Sequence, residues 1–357
     1  MPSRPASGDG MKYPRLIFLL SLACVNLACS REEAVFHDRF FAFGTLIEIT
    51  LYGVEQERAI RASDIIEREF HQRHTDWHAW EPGILNTTNA QLATLEPFTA
   101  DPAILPLLVE AGRLSRLSQG LFNPTIGKLI ALWGFQADEL PLGTLPDPGA
   151  IKTLVEQAPS VRDVTITGER IQNSNPAVQY DLGAFAKGYA IDRSIDRLRE
   201  LGIENAIINT GGDLRGIGRH GDRPWRIGIR HPRESGVLAS VELDGDDSVF
   251  TSGDYERYFE VDGKRYHHII DPRSGFPADT TTSVTVIHSD AATADAAATA
   301  LFVAGPGEWL DIARRMGVHY VMLVDTSGVI HMNPAMQERI RFEPGMSADI
   351  RVSEPLK

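Results

Sequence analysis

Residues 283–306, SVTVIHSDAATADAAATALFVAGP, decide how this chain folds. Positions 283–287 alternate and carry β-branched side chains, so they read as a strand. Residues 290–303 are alanine-rich and read as a helix, and 308–316 read as another. Beyond them, 318–324 and 329–332 flank Ser327-Gly328 and predict a hairpin. Strand, helices and hairpin in that succession do not form a regular βαβ array.

Upstream, AFGTLIEITLYG (42–53) predicts a strand and 55–73 a charged helix. A second helix is predicted over 101–119, with Asp101 as candidate N-cap and Gly120 just past its end. The stretch 136–149, rich in Pro, Gly and acid, reads as a loop. Residues 180–183 lead into a helix over 184–201, and 205–209 form a strand that ends in Thr210-Gly211-Gly212-Asp213. Further strands follow, with Asp262-Gly263 as a hairpin turn. The expectation is an α+β fold of mixed or antiparallel sheets with packed helices. Its organisation is a leader (1–29), a tether (30–38), one catalytic domain (39–345) and a C-terminal tail (346–357).

The 357 residues carry 35 basic and 48 acidic side chains, a net charge of -13. That balance disfavours nucleic acid as a partner, and a phosphate-bearing substrate would need local neutralisation. Both cysteines, Cys24 and Cys29, lie in the leader. The body therefore has no disulfide, thiolate zinc site or cysteine nucleophile. A metal there would be held by oxygen or imidazole, which favours magnesium, calcium or manganese. In the leader, Lys12 and Arg15 precede an apolar run too short to span a bilayer, as in a secretory signal. Leu27 and Ala28 before Cys29 predict a lipoprotein site at Cys29, although Asn26 stands where an aliphatic residue is usual. Cys24 is a second candidate, and a plain cleaved signal reads similarly. The protein is expected to be exported, on the periplasmic side, and anchored to a membrane by lipid.

Four patterns can carry chemistry. Asp295 and Thr299 are four apart and share a helix face among small alanines, a partial oxygen shell for magnesium. An exposed Asp and a packed Thr would show the same spacing. In YDLGAFAKGYAID (180–192), Gly183 precedes a helix whose first turn holds Lys187, a setting for a phosphate; Asp181 also fits a local cap. The Gly-Gly of INTGGDL (208–214) permits close backbone approach, or simply a turn. His267 and His268, adjacent on a predicted strand, face opposite ways, and one of them can serve as a general base or as a structural histidine. The nucleophile-elbow pattern G-x-S-x-G is not present.

In order, AFGT, FNPTIGKLIALWGF, YDLGAFAKGYAID, INTGGDL, SGDYERYF, YHHIIDPRSGFP and the 283–306 segment resemble the ApbE family of FAD:protein FMN transferases. The resemblance implies an ApbE-like, T-fold-like single catalytic domain. It implies magnesium held by Asp295, Thr299 and the carbonyl of Ala184. FAD, the substrate, would contact Phe43, Leu121, Phe122, Asn123, Asp181, Lys187 and Ile269. Phe43 and Asn123 depart from the Met and Asp of many relatives. The implied reaction joins FMN to a threonine of an acceptor protein and releases AMP. Its acceptors would be flavin-carrying subunits of membrane redox complexes of the Nqr or Rnf type. His268 is the candidate base, and Asp181 competes with it. Hydrolysis of FAD to FMN and AMP, or FAD binding without catalysis, are the rival readings.

Overall fold

The computed structural model describes residues 35–356, apart from 138, 139, 141, 142, 244 and 347. The leader with Cys24 and Cys29, and residues 30–34 of the tether, lie outside the described residues. Seventeen strands and eight helices are seen among those described. The helices are α1 (Gln56–Asp76), α2 (Ile84–Leu92), α3 (Leu105–Leu117), α4 (Gly127–Leu132), α5 (Pro148–Glu156), α6 (Ala186–Glu200), α7 (Ala291–Met316) and α8 (Pro334–Arg339). The first seven strands are β1 (Val35–Ala42), β2 (Thr45–Tyr52), β3 (Phe98–Thr99), β4 (Val164–Thr167), β5 (Arg170–Asn173), β6 (Ala206–Thr210) and β7 (Asp213–Gly218). Then come β8 (Trp225–Arg230), β9 (Val237–Leu243), β10 (Gly245–Gly253), β11 (Tyr258–Val261) and β12 (Lys264–His267). The last are β13 (Thr281–His288), β14 (Tyr320–Asp325), β15 (Ile330–Met332), β16 (Ile340–Phe342) and β17 (Ile350–Val352).

A nine-stranded sheet in the order β1-β2-β6-β7-β10-β13-β14-β15-β17 forms the spine. Its neighbours are antiparallel except β15 and β17, which run parallel. One face packs on α1, α3, α6 and α7 through a large core that includes Ile49, Phe70, Phe250, Val284 and Phe302. The other face is covered by the small β16-β9-β8 sheet, with Trp225, Leu238 and Val241 against Val249, Ile287 and Val324. The alternating strands place one set of side chains in each core, so the sheet is buried on both faces over its centre.

Antiparallel order gathers the tips at one end of the sheet. The β1–β2 turn (Phe43, Gly44) lies beside the β6–β7 turn, where a Cβ on Gly211 would stand 2.2 Å from the Thr45 hydroxyl. At that end β10 finishes at Gly253, β13 begins at Thr281 and β14 finishes at Asp325.

Several expectations are corrected. The segment read as tether includes Val35–Asp38, which belongs to β1. The segment read as tail contains β17, paired to β15. The two helices expected over 290–316 are present: α7 is a pair of helical segments that meet at a break where Gly305 takes φ +65° before Pro306. The helix of 101–119 is shorter, and Asp101 does not cap it: its Oδ1 accepts the Ala103 N–H at 2.8 Å, and Ile104 is the cap. No helix among the described residues is long and apolar enough to cross a membrane.

Candidate functional site

Helices α6 and α7 meet at a glycine. A Cβ on Gly188 would sit 2.2 Å from the Ala291 carbonyl and 2.9 Å from Asp295 Cβ, so only glycine allows this approach. The Gly188 N–H, whose helical acceptor would be Ala184 O, donates instead to Asp295 Oδ2 at 2.9 Å. That diversion frees the Ala184 carbonyl for another partner, two residues before the helix begins at Ala186. Asp295 is 6% exposed. One turn along α7, Thr299 Oγ1 lies 3.3 Å from Ser252 Oγ at the end of β10. The expected trio of Ala184, Asp295 and Thr299 therefore lines the junction of two helices and a strand end.

Lys187 forms an ion pair with Asp213, which follows the Gly-Gly turn. Asp213 Oδ1 accepts the Thr251 N–H at 2.9 Å, which fixes the carboxylate. Burial opposes the charged form of Lys187, yet Asp213, Asp295 and Glu256 outweigh it and hold its pKa above the usual lysine range. Burial pushes the Asp295 carboxyl up to about 7; Lys187 opposes the rise and Asp213 adds to it. Burial also raises Glu256. Three carboxylates around one ammonium leave negative charge that a divalent cation would neutralise. Among the described residues no three His, Cys, Asp or Glu side chains converge as a metal shell, so a cation here would draw on the carbonyl and hydroxyl as well. One carboxylate, one hydroxyl and one spared carbonyl fit magnesium, which keeps water or phosphate oxygens in its remaining positions.

His268 lies just beyond β12 and is half-buried rather than facing solvent. Its Nδ1 lies 3.2 Å from Arg257 O, which assigns the proton to Nδ1 and leaves Nε2 as acceptor. Burial, with help from His267, pushes its pKa down to about 3, so the ring is neutral. His267 is structural: Nε2 donates to Ala278 O at 2.7 Å and the ring packs on Phe302. Asp181 accepts the Gly183 N–H at 3.0 Å and the Gln136 amide at 2.8 Å.

Other expected flavin contacts divide. The Phe43 ring stands 5.5 Å from His74 and 6.1 Å from Trp77. The row continues through His78, 4.3 Å from Trp80, while Trp77 meets Tyr189 of α6. This aromatic wall, two residues along α6 from Lys187, went unread in the sequence, though HQRHTDWHAW (71–80) is dense enough in rings to have signalled it. By contrast, the side chains of Leu121, Phe122 and Ile269 are core residues, 6%, 2% and 5% exposed, and offer a ligand only main chain. Asn123 is spent on its own turn: its amide donates to Pro159 O at 2.9 Å, and its Oδ1 accepts from the Thr125 N–H and hydroxyl. Asp213, Ser252 and Glu256 were not singled out individually; the charge of Asp213 behind two glycines was the available signal.

Fold and site together define an α+β enzyme with a polar centre where two helices meet the ends of a sheet. Residues 43–322 match the family model described as the ApbE family. An FAD:protein FMN transferase of Rhodobacter capsulatus is 43% identical over 316 residues, 88% of this chain and 60% of that relative, so the chain spans about three-fifths of that relative's length. One from Klebsiella pneumoniae (strain 342) is 34% identical over 307 residues, 84% of this chain and 92% of the relative. The crystal structure of the ApbE protein from Thermotoga maritima superposes with a TM-score of 0.78 at 32% identity, covering 86% of this chain and 100% of that one. The apo flavinyl transferase ApbE of Pseudomonas stutzeri gives 0.75 at 31% identity, covering 88% and 98%. The chain belongs to the ApbE family.

Proposed function

We propose that this chain transfers FMN from FAD to a threonine hydroxyl of an acceptor protein and releases AMP. The observation that carries the proposal is the buried Asp295 carboxylate, held by the Gly188 N–H, with Thr299 one turn away and Lys187 on the facing helix. Magnesium bound by Asp295, Thr299 and Ala184 O would neutralise charge on the pyrophosphate oxygens. Lys187 and the start of α6 hold the phosphates, as a cation at a helix N-terminus does. The aromatic wall from Phe43 to Trp80 offers flat faces for the rings of the dinucleotide. The threonine oxygen attacks the FMN-side phosphorus, the anhydride bond to AMP breaks, and the threonine proton passes to His268 Nε2. Asp181, already bonded twice, serves better as a positioning group. The acceptors are flavin-carrying subunits of Nqr- or Rnf-type membrane complexes, reached from the periplasmic side by a chain lipid-anchored at Cys29.

The test mixes the mature chain, FAD, magnesium and such an acceptor domain. Mass spectrometry should find an FMN-sized adduct on one threonine, lost in Asp295→Ala. FMN and AMP released with no adduct would replace transfer by hydrolysis; intact FAD would reduce the protein to a binder.

A further inference from the structure

A threonine inside a helix commonly turns its hydroxyl back to the carbonyl four residues earlier. Thr75, Thr87, Thr88 and Thr153 do so, onto the carbonyls of His71, Gly83, Ile84 and Gly149 at 3.2, 3.0, 2.8 and 2.9 Å. Thr299 instead points its Oγ1 at Ser252 Oγ, 3.3 Å away across the gap between α7 and the end of β10. A hydroxyl carries one proton and two lone pairs. One that binds a cation must aim a lone pair at it and give its proton to another group. Ser252 Oγ is the acceptor within reach of Thr299.

Ser252 has a rigid mount. It pairs with Val284 of β13 and, like Phe250 two residues before it, points to the helix side of the sheet. Its neighbour is pinned twice: the Thr251 N–H donates to Asp213 Oδ1 at 2.9 Å, and the Thr251 hydroxyl lies 2.9 Å from that of Thr285. Two successive residues of β10 thus reach both halves of the centre, Lys187 through Asp213 and Thr299 through Ser252. A magnesium ligand benefits from such a neighbour, because the ion demands near-octahedral angles and tolerates a wandering oxygen poorly. Resting on the magnesium reading of this site, we propose that Ser252 is a positioning residue. Its oxygen accepts the Thr299 hydroxyl proton and so turns a Thr299 lone pair toward the cation held with Asp295 and Ala184 O.

The test titrates magnesium itself into the FAD-free mature chain by calorimetry, with metal-free melting curves as the check on folding. Ser252→Ala should weaken magnesium binding about tenfold or more, the effect of losing the partner behind a metal ligand. Ser252→Thr keeps the hydroxyl and suits a strand, so it should bind within about threefold of the wild-type chain. The metal-free melting curves of all three should coincide. Unchanged affinity in Ser252→Ala overturns the inference. A loss that Ser252→Thr does not restore also overturns it, since side-chain size rather than the hydroxyl would then matter. So does a loss that comes with a lowered metal-free melting curve, which marks general loosening of the junction. Absence of magnesium binding by the wild-type chain overturns the cation assignment and this inference with it, whereas the flavin-transfer reading falls only with the threonine adduct.

Discussion

Asp295 carries a carboxylate that burial keeps reluctant to ionise, its pKa raised to about 7. A raised folded-state value makes its contribution to stability complete below the unfolded carboxylate pKa and lost as pH rises through about 7. Metal-free protein should therefore lose thermal stability as pH climbs from 4 toward 8, and magnesium, by displacing that proton, should flatten the slope. Asp295→Asn should show neither the slope nor the magnesium response in a pH series of melting curves; a response that survives the substitution would place the cation elsewhere. His268→Gln should cut transfer by roughly 10²–10⁴-fold with FAD affinity kept, the range of a lost general base; equal rates would send the proton to another group. At this scale spacing and residue type made Asp295, Thr299 and Lys187 stand out, and the structure places them on α7 and in the first turn of α6, the two helices that meet at Gly188. What one dimension does not display is that the side chains of Leu121 and Phe122 are buried and that Asn123 bonds within its own turn.

Helices α6 and α7 hold the centre by contact at one small residue. Gly188→Ala would push a methyl against the Ala291 carbonyl, and the helices would have to part. The expected cost is about 1–3 kcal/mol of stability, typical of overpacking. Chemical denaturation would measure that loss, and isothermal titration should show weakened magnesium binding beside it. Full stability would mean the helices slide freely. A second tie lies deeper: Asp192 of α6 accepts the Ala291 and Ala292 N–H groups at the start of α7, at 2.9 Å each, and pairs with Arg215 of β7. Elements with strong local signals were legible: α1, α6, the alanine-rich start of α7, and the turns at Asp262-Gly263 and Ser327-Gly328. So was the break between the two helices of 290–316, at Gly305 and Pro306. The cover of β8, β9 and β16 was not legible, since its third strand returns from about a hundred residues away.

The whole molecule is one wide sheet closed by helices on one side and a smaller sheet on the other. Its last strand is a stitch rather than a loose end. The Ile330 N–H donates to Asp349 O, the Ser353 N–H to Met332 O, and Glu354 pairs with Arg314 of α7. Removing residues 350–357 should lower the melting temperature by several degrees while FAD binding persists, because β17 lies four strands from β10; an unchanged melting curve would return the segment to the status of tail. The overall class, α+β, was legible from the order of elements, but strand order was not, since it depends on contacts between distant segments. The first strand has a direction with a mechanical result. β1 sets out from Val35 at the rear rim and travels eight residues, about 26 Å, before its hairpin reaches the working rim beside Gly211. Anything that held the chain ahead of Val35 would thus pull on the back of the molecule, and the working rim would look away from the point of attachment.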